Sequence, residues 1–252
     1  MCTRFVFNGN DTITGFNFDI HLSVWKHKLL KENNYFYIGI FRPDGVYHSY
    51  HGINRNGNVG TLLYVHGNPN GAYKNTPNSM TIAELTEQFI KGQISFDDAL
   101  KIVKTMDIVY APDATMQSML SDIQGRVLII EPGIGFREEH NRYSLMTNYS
   151  LLSPESTTQF IVPGDDRYER ALRFLSECEN DFSITNAFKL LRSVHQEGIW
   201  ATRISFIYSV KEKTIYYVEN NRFTEVKRFV FPELEHEISV PKKKKQHSLH
   251  ER

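Results

Sequence analysis

The hydrophobic and polar positions change period along the chain, and each change marks an element. β-forming residues fill positions 3–7 and 12–19 on either side of the turn-like Asn8-Gly9-Asn10-Asp11, which predicts a hairpin. Two more strands are expected at 35–41 and 45–50 around Pro43-Asp44-Gly45, and another at 58–66, introduced by Asn56-Gly57. A turn-rich connection, 67–79, leads to Thr81-Ile82-Ala83-Glu84, the spacing of a helix capping box. Ile82, Leu85, Phe89 and Ile90 then recur at helical intervals. A second helix fits 95–106, with Asp97 and Asp98 in its first turn and Ala99, Leu100 and Val103 turned inward. The two helices are expected to cover one sheet face. Strands follow at 107–110, 115–122, 126–131 and 143–147, helices at 166–178 and 183–194, and strands at 201–208 and 214–218. Strands, helices, strands, helices, strands in that order suit an α+β layered domain better than a parallel α/β sheet.

Composition narrows the function. The 252 residues are 40% hydrophobic, enough for one large core, and a single domain over 1–240 is the preferred reading. With 29 basic and 29 acidic residues there is no net field to favour nucleic acid or an anionic membrane, so small molecules are the more natural partners. No run approaches the roughly 18 apolar residues of a membrane span, and MCTRFVFNGND lacks the form of a secretory signal, so a cytoplasmic location is expected. The only cysteines are Cys2 and Cys178. Cys178 falls in a helical pattern beside Phe174 and Leu175, where a buried inert thiol is expected. Residues 241–252, with Lys242 to Lys245, read as a basic, solvated tail.

Cys2 is the most unusual placement. A residue this small after Met1 normally permits removal of the methionine, which leaves a free amine and a thiol on one carbon. An α-amine has a pKa of about 7.7–8.0, so it can take the proton of its own nucleophile and return it to a leaving amine. Position alone proves little, since most proteins with cysteine second make no use of it.

Six segments bear on this. They are Met1-Cys2-Thr3, Gly15-Phe16-Asn17-Phe18-Asp19-Ile20, Gly52 to Gly60 (GINRNGNVG), Ser121-Asp122-Ile123-Gln124-Gly125-Arg126 running to Glu131, Met146-Thr147-Asn148, and Val162-Pro163-Gly164-Asp165-Asp166-Arg167-Tyr168. In order and approximate spacing they resemble the choloylglycine-hydrolase and penicillin-V-acylase family, amino-terminal-nucleophile hydrolases of linear amides. The likeness spans residue 2 to about residue 220. It implies a four-layer αββα sandwich of two mainly antiparallel sheets, with Cys2 at the start of an inner strand. It also implies roles: Cys2 as nucleophile, Asp19 holding the α-amine, the Tyr64 backbone N–H and the Asn148 side-chain amide stabilising the oxyanion, and Arg167 as an electrostatic partner of the thiolate. No metal or organic cofactor is needed for such acyl transfer.

One departure stands out. The family's arginine in Gly-Arg-Asn-x-Asp is Phe16 here. Arg4, two residues after Cys2, shares its strand face, and its guanidinium could replace that charge. Without such compensation the thiol is less activated, or hydrolysis has been lost. The segment between Asn148 and Arg167 is also shorter than in bile-salt hydrolases, which removes their subunit-contact extension; a dimer or a monomer stays open. An acyltransferase and a non-catalytic binding protein are the rival classes. Other constellations carry less: His48-x-x-His51 lacks a metal-ligand set around it, and Asp97-Asp98 and Glu138-Glu139 point apart as neighbours must.

Overall fold

The computed structural model describes residues 2–233, so the basic tail at 241–252 lies outside the described residues. Three sheets are formed among those residues, two of them large. Sheet I has six strands in the order β12-β1-β2-β13-β14-β15: β1 (Thr3–Asn8), β2 (Thr12–Asp19), β12 (Tyr143–Met146), β13 (Thr202–Ser209), β14 (Thr214–Glu219) and β15 (Lys227–Phe229). Sheet II has seven in the order β11-β10-β9-β6-β5-β4-β3: β3 (His27–Lys31), β4 (Tyr35–Phe41), β5 (Tyr47–Asn54), β6 (Val59–Tyr64), β9 (Met116–Ser121), β10 (Val127–Glu131) and β11 (Gly135–Glu139). All pairs in both sheets are antiparallel. A two-stranded parallel pair, β7 (Ser79–Thr81) with β8 (Asp107–Val109), stands apart and takes up the strand expected at 107–110.

Strand alternation sorts the side chains into layers. Val6 on β1, Phe16 and Phe18 on β2, and Cys2 just ahead of β1 face sheet II and join a core with Phe36, Ile38 and Met119. Phe5, Phe7 and Ile13 face the other way, onto α3 (Arg167–Glu177) and α4 (Ile184–Ser193) through Ala171, Leu175, Leu190 and Leu191. Helix α1 (Ile82–Ile90) packs on the opposite side of sheet II, against β5, β6 and β9, and is followed by α2 (Phe96–Thr105). The order is therefore helices, sheet II, sheet I, helices, the expected αββα sandwich. Gly15 lies opposite Phe5, and a Cβ there would come within 2.3 Å of the Phe5 ring. That position keeps β1 and β2 in close register.

The helix ends follow the sequence closely. Thr81 and Glu84 form the capping box of α1, and Ser95 with Asp98 forms one for α2. Asp97 pairs with Arg126 instead of Asp98, in keeping with neighbours that point apart. In the two large sheets, strands β3, β11 and β15 are the additions to the expected set. Each is an edge strand with few buried side chains, so backbone pairing holds it where hydrophobic alternation is missing. Cys178 also departs from expectation: it is the residue that ends α3, and it is only half-buried.

Candidate active site

The site forms where β1 begins, between β12 and β2. Cys2 is buried there, and its backbone nitrogen donates to Asn148 Oδ1 at 2.6 Å. Its thiol lies 3.8 Å from the carbonyl oxygen of Asp19 at the end of β2. Asn148 follows β12, the neighbour of β1, so the hairpin and the edge strand deliver Cys2, Asp19 and Asn148 to one end of sheet I. Nδ2 of Asn148 donates to the Tyr64 carbonyl at 2.7 Å, which ties the end of β6 in sheet II to the same point.

Strand geometry sets the direction of the Tyr64 backbone N–H. Val65 N–H bonds to Thr115 O across the β6–β9 ladder, so the N–H of Tyr64, one residue earlier, turns toward β5. The β5–β6 ladder ends at His51↔Thr61, and at the next step Leu62 N–H donates to His51 Nδ1 at 3.2 Å. Tyr64 N–H therefore lies past the last ladder bond, on the side where its carbonyl meets Asn148.

Arg167, the first residue of α3, is 1% exposed and connects the parts. Nη1 donates to Cys2 O at 3.0 Å, Nη2 donates to Asn148 Oδ1 at 3.2 Å, and Asp19 Oδ2 is 3.7 Å away. Asp165 holds the guanidinium with both oxygens, at 2.8 Å from Nε and 2.8 Å from Nη2, and also accepts from the Tyr149 hydroxyl. Asp19 accepts from Thr202 Oγ1 at 2.6 Å. Asp165, Tyr149 and Thr202 are site residues that sequence reasoning did not single out. Asp165 stood in the quoted Pro-Gly-Asp run; Thr202 carried no signal, because its place is set by the β13–β2 pairing.

Electrostatics here are dominated by burial. It pushes the Cys2 thiol up to about 11, with Asp19 adding to the rise and Arg167 opposing it. It also pushes Asp19 up to about 7, against the Thr202 hydrogen bond and the Arg167 charge. Cys2 therefore rests as the neutral thiol.

Arg4 is held by partners other than the Cys2 thiol. It shares the face of Cys2 and lies directly across from Phe16, as strand geometry demands. Its guanidinium, however, donates to Phe5 O and, at 2.8 Å, to Ser121 Oγ on β9, and Arg167 is the side-chain cation that lowers the Cys2 pKa. Among the described residues no carboxylate pairs with Arg4, and burial pulls its own pKa down to about 9. Phe16 stacks on His51, 5.0 Å between centroids, which fills the space of a cation with two neutral rings. His51 is held down to about 3 by burial and stays neutral, while His48 is tied to Asp44 and Glu87. Arg4→Met is expected to leave stability unchanged or raise it by about 1–4 kcal/mol, because a buried cation without a counter-ion costs more than its hydrogen bonds return. Urea unfolding measures this; a loss above about 2 kcal/mol would show that the bonds to Phe5 and Ser121 dominate.

No family model and no curated protein sequence matches the chain. Solved structures do. Penicillin V acylase from Agrobacterium tumefaciens superposes with a TM-score of 0.62 at 18% identity, covering 86% of this chain and 83% of that one. A mutant of conjugated bile acid hydrolase from Clostridium perfringens gives 0.64 at 14% identity over 91% and 92%. The Caenorhabditis elegans ortholog of N-acylethanolamine-hydrolyzing acid amidase gives 0.55 at 15% identity over 82% and 92%. The fold is that of the amino-terminal-nucleophile hydrolases. Within this amino-terminal-nucleophile fold Cys2 occupies the start of an inner strand, and Asp19, Tyr64, Asn148 and Arg167 converge on it. Arg4 and Phe16 lie deeper between the sheets. A cavity of about 220 Å³ beside Val103, Ile130, Ile134 and Phe136 is lined by none of these seven residues. No helix among the described residues is long and apolar enough to cross a membrane.

Proposed function

We propose that the chain is a cysteine amidase of the choloylglycine-hydrolase and penicillin-acylase kind, acting on a linear amide of an apolar acyl group. The observation that carries this reading is the fixing of both the nitrogen and the sulfur of Cys2, by Asn148 Oδ1 at 2.6 Å and by the Asp19 carbonyl at 3.8 Å. Removal of Met1 turns that nitrogen into an α-amine in hydrogen-bonding reach of Asn148. The amine takes the thiol proton as sulfur bonds to the amide carbon, and the carbonyl π electrons move onto oxygen. Tyr64 N–H and the second N–H of the Asn148 amide receive that oxyanion; one such donor typically accounts for about 10²–10³ in rate. Collapse breaks the C–N bond, with the ammonium proton passing to the leaving amine. Water then attacks the thioester by the same path and releases the acid.

The substrate class follows from what surrounds the site. Leu22 and Val24 come just after Asp19, Phe160 and Val162 just before Asp165, and Ile199 and Trp200 just before Thr202; all six are exposed. Apolar side chains left in water on segments flanking a nucleophile suit an apolar acyl group. The small-molecule partner is thus an acylated amine.

Purified protein is expected to begin at Cys2 by intact mass. Incubation with fatty-acyl amino acids, penicillin V, conjugated bile salts and acyl-homoserine lactones, followed by acid quench, is expected to show one acyl adduct on the Cys2 peptide. Retained Met1 in active protein, or an adduct elsewhere, overturns the mechanism. Added acceptor amines that raise amide product at the expense of acid would instead make the chain an acyltransferase.

A further inference from the structure

Two buried polar side chains of sheet II face the turn that carries Asn148. On β9, Ser121 points toward sheet I, where it meets Arg4, while Ser118 points the other way, to Thr86 of α1. Alternation therefore turns Gln117 toward sheet I. The β9–β10 register pairs Ser118 with Ile130, and one further step sets Glu131 opposite Gln117. Gln117 is fully buried and Glu131 is 2% exposed.

Each meets the segment after β12 with the chemistry that segment lacks. Gln117 Nε2 donates to Thr147 O at 2.7 Å and to Tyr149 O at 3.1 Å, so one primary amide holds the carbonyls on both sides of Asn148. Glu131 accepts from Leu151 N–H at 2.7 Å, from Leu152 N–H at 3.3 Å and from the Ser150 hydroxyl. Ser150 Oγ in turn accepts from Ser153 N–H at 2.8 Å, which closes the turn. The amide supplies donors to carbonyls and the carboxylate supplies acceptors to N–H groups. Exchanging either type leaves buried groups unpaired.

We propose that Gln117 and Glu131 form a clamp that sets the backbone on both sides of Asn148, and are positioning residues for the amidase reaction. The proposal rests on that reading of the site. The Asn148 side chain must hold the Cys2 nitrogen and present its remaining N–H to an oxyanion, and a displacement near 1 Å can cost about 10² in rate. Sheet II thus governs a group that belongs to sheet I, and the reaction depends on how the two sheets are docked.

The test uses Gln117→Met, Gln117→Glu and Glu131→Gln in the full chain. Turnover of the best panel substrate, alkylation of Cys2 by iodoacetamide and thermal unfolding are measured together. Alkylation displaces iodide at a saturated carbon and forms no oxyanion, so it reads the thiol without the clamp. The expected result is a kcat lower by about 10² with KM within about twofold and an unchanged alkylation rate. A kcat within about threefold of the parent overturns the proposal. So does a fall in turnover and alkylation together, which marks general damage. If the parent hydrolyses nothing, the amidase reading fails by itself, and crystal structures decide the clamp: it stands if Asn148 Oδ1 leaves hydrogen-bonding distance of Cys2 N in the variants, and falls if it stays.

Discussion

Cys2→Ala is expected to lower amide turnover by on the order of 10⁴–10⁶, while Cys178→Ala keeps most of it. The two thiols differ in what holds them. Cys2 is buried at the start of β1, with its nitrogen on Asn148 and its carbonyl on Arg167. Cys178 ends α3, half-buried, with its carbonyl bound by Arg142. In the proposed mechanism only the first, once Met1 is removed, would share a carbon with an amine able to take its proton. Because burial pushes the Cys2 thiol up to about 11, alkylation of Cys2 should keep climbing through pH 9 instead of levelling below it. Rates of the two variants on one substrate, with peptide-resolved labelling from pH 6 to 10, measure both parts. Equal activity loss in the two variants would place the chemistry elsewhere.

The legibility of fold and site in the amino-acid sequence divides along physical lines. Strands that bury a full face, such as β2 with every position from Ile13 to Asp19 buried, announce themselves by composition. Helices with capping boxes declare their first residue. Edge strands do not, because β11 is exposed at Gly135 to Glu138 and has β10 as its one ladder partner. The candidate site was legible as five residues through resemblance to a motif series, and the fold brings those five together. The partners that fix them were not legible. Gln117 and Thr202 are ordinary polar residues in strand patterns, and only the docking of two sheets, or a pairing between β13 and β2, gives them work. Arg4 shows the converse limit: a shared strand face was read correctly, yet the face continues inward to Ser121, and a guanidinium two residues along the strand can choose the deeper partner.

Arg167→Ala is expected to cost stability as well as activity, with a pH dependence that identifies the cause. Arg167 faces two carboxylates that are themselves buried, Asp165 at 2.8 Å and Asp19 at 3.7 Å. Removing one partner of such a buried cluster typically costs about 3–5 kcal/mol, because the charge left behind is uncompensated. Asp19 already has its pKa raised by burial to about 7, and Arg167 is one of the groups that hold it from rising further. Burial would raise Asp165 too, but hydrogen bonds from Arg167 and Tyr149 outweigh it and hold its carboxyl below the usual range. Without the guanidinium both folded-state values rise, while an unfolded aspartate titrates near about 3.9. Over the window from there up to the new folded values, the folded variant binds protons that the unfolded chain does not, so its stability falls as pH rises. The deficit relative to the parent should therefore be smallest near pH 4 and largest at pH 8. Arg167→Lys should recover only part of it, since an ammonium cannot bind Asp165 through two parallel bonds while also reaching Cys2 O and Asn148 Oδ1. Urea unfolding of the parent and both variants at three pH values gives the comparison. A deficit independent of pH would assign the loss to packing of the Arg167 stem against α3 and β1, and would remove the charge argument from this site.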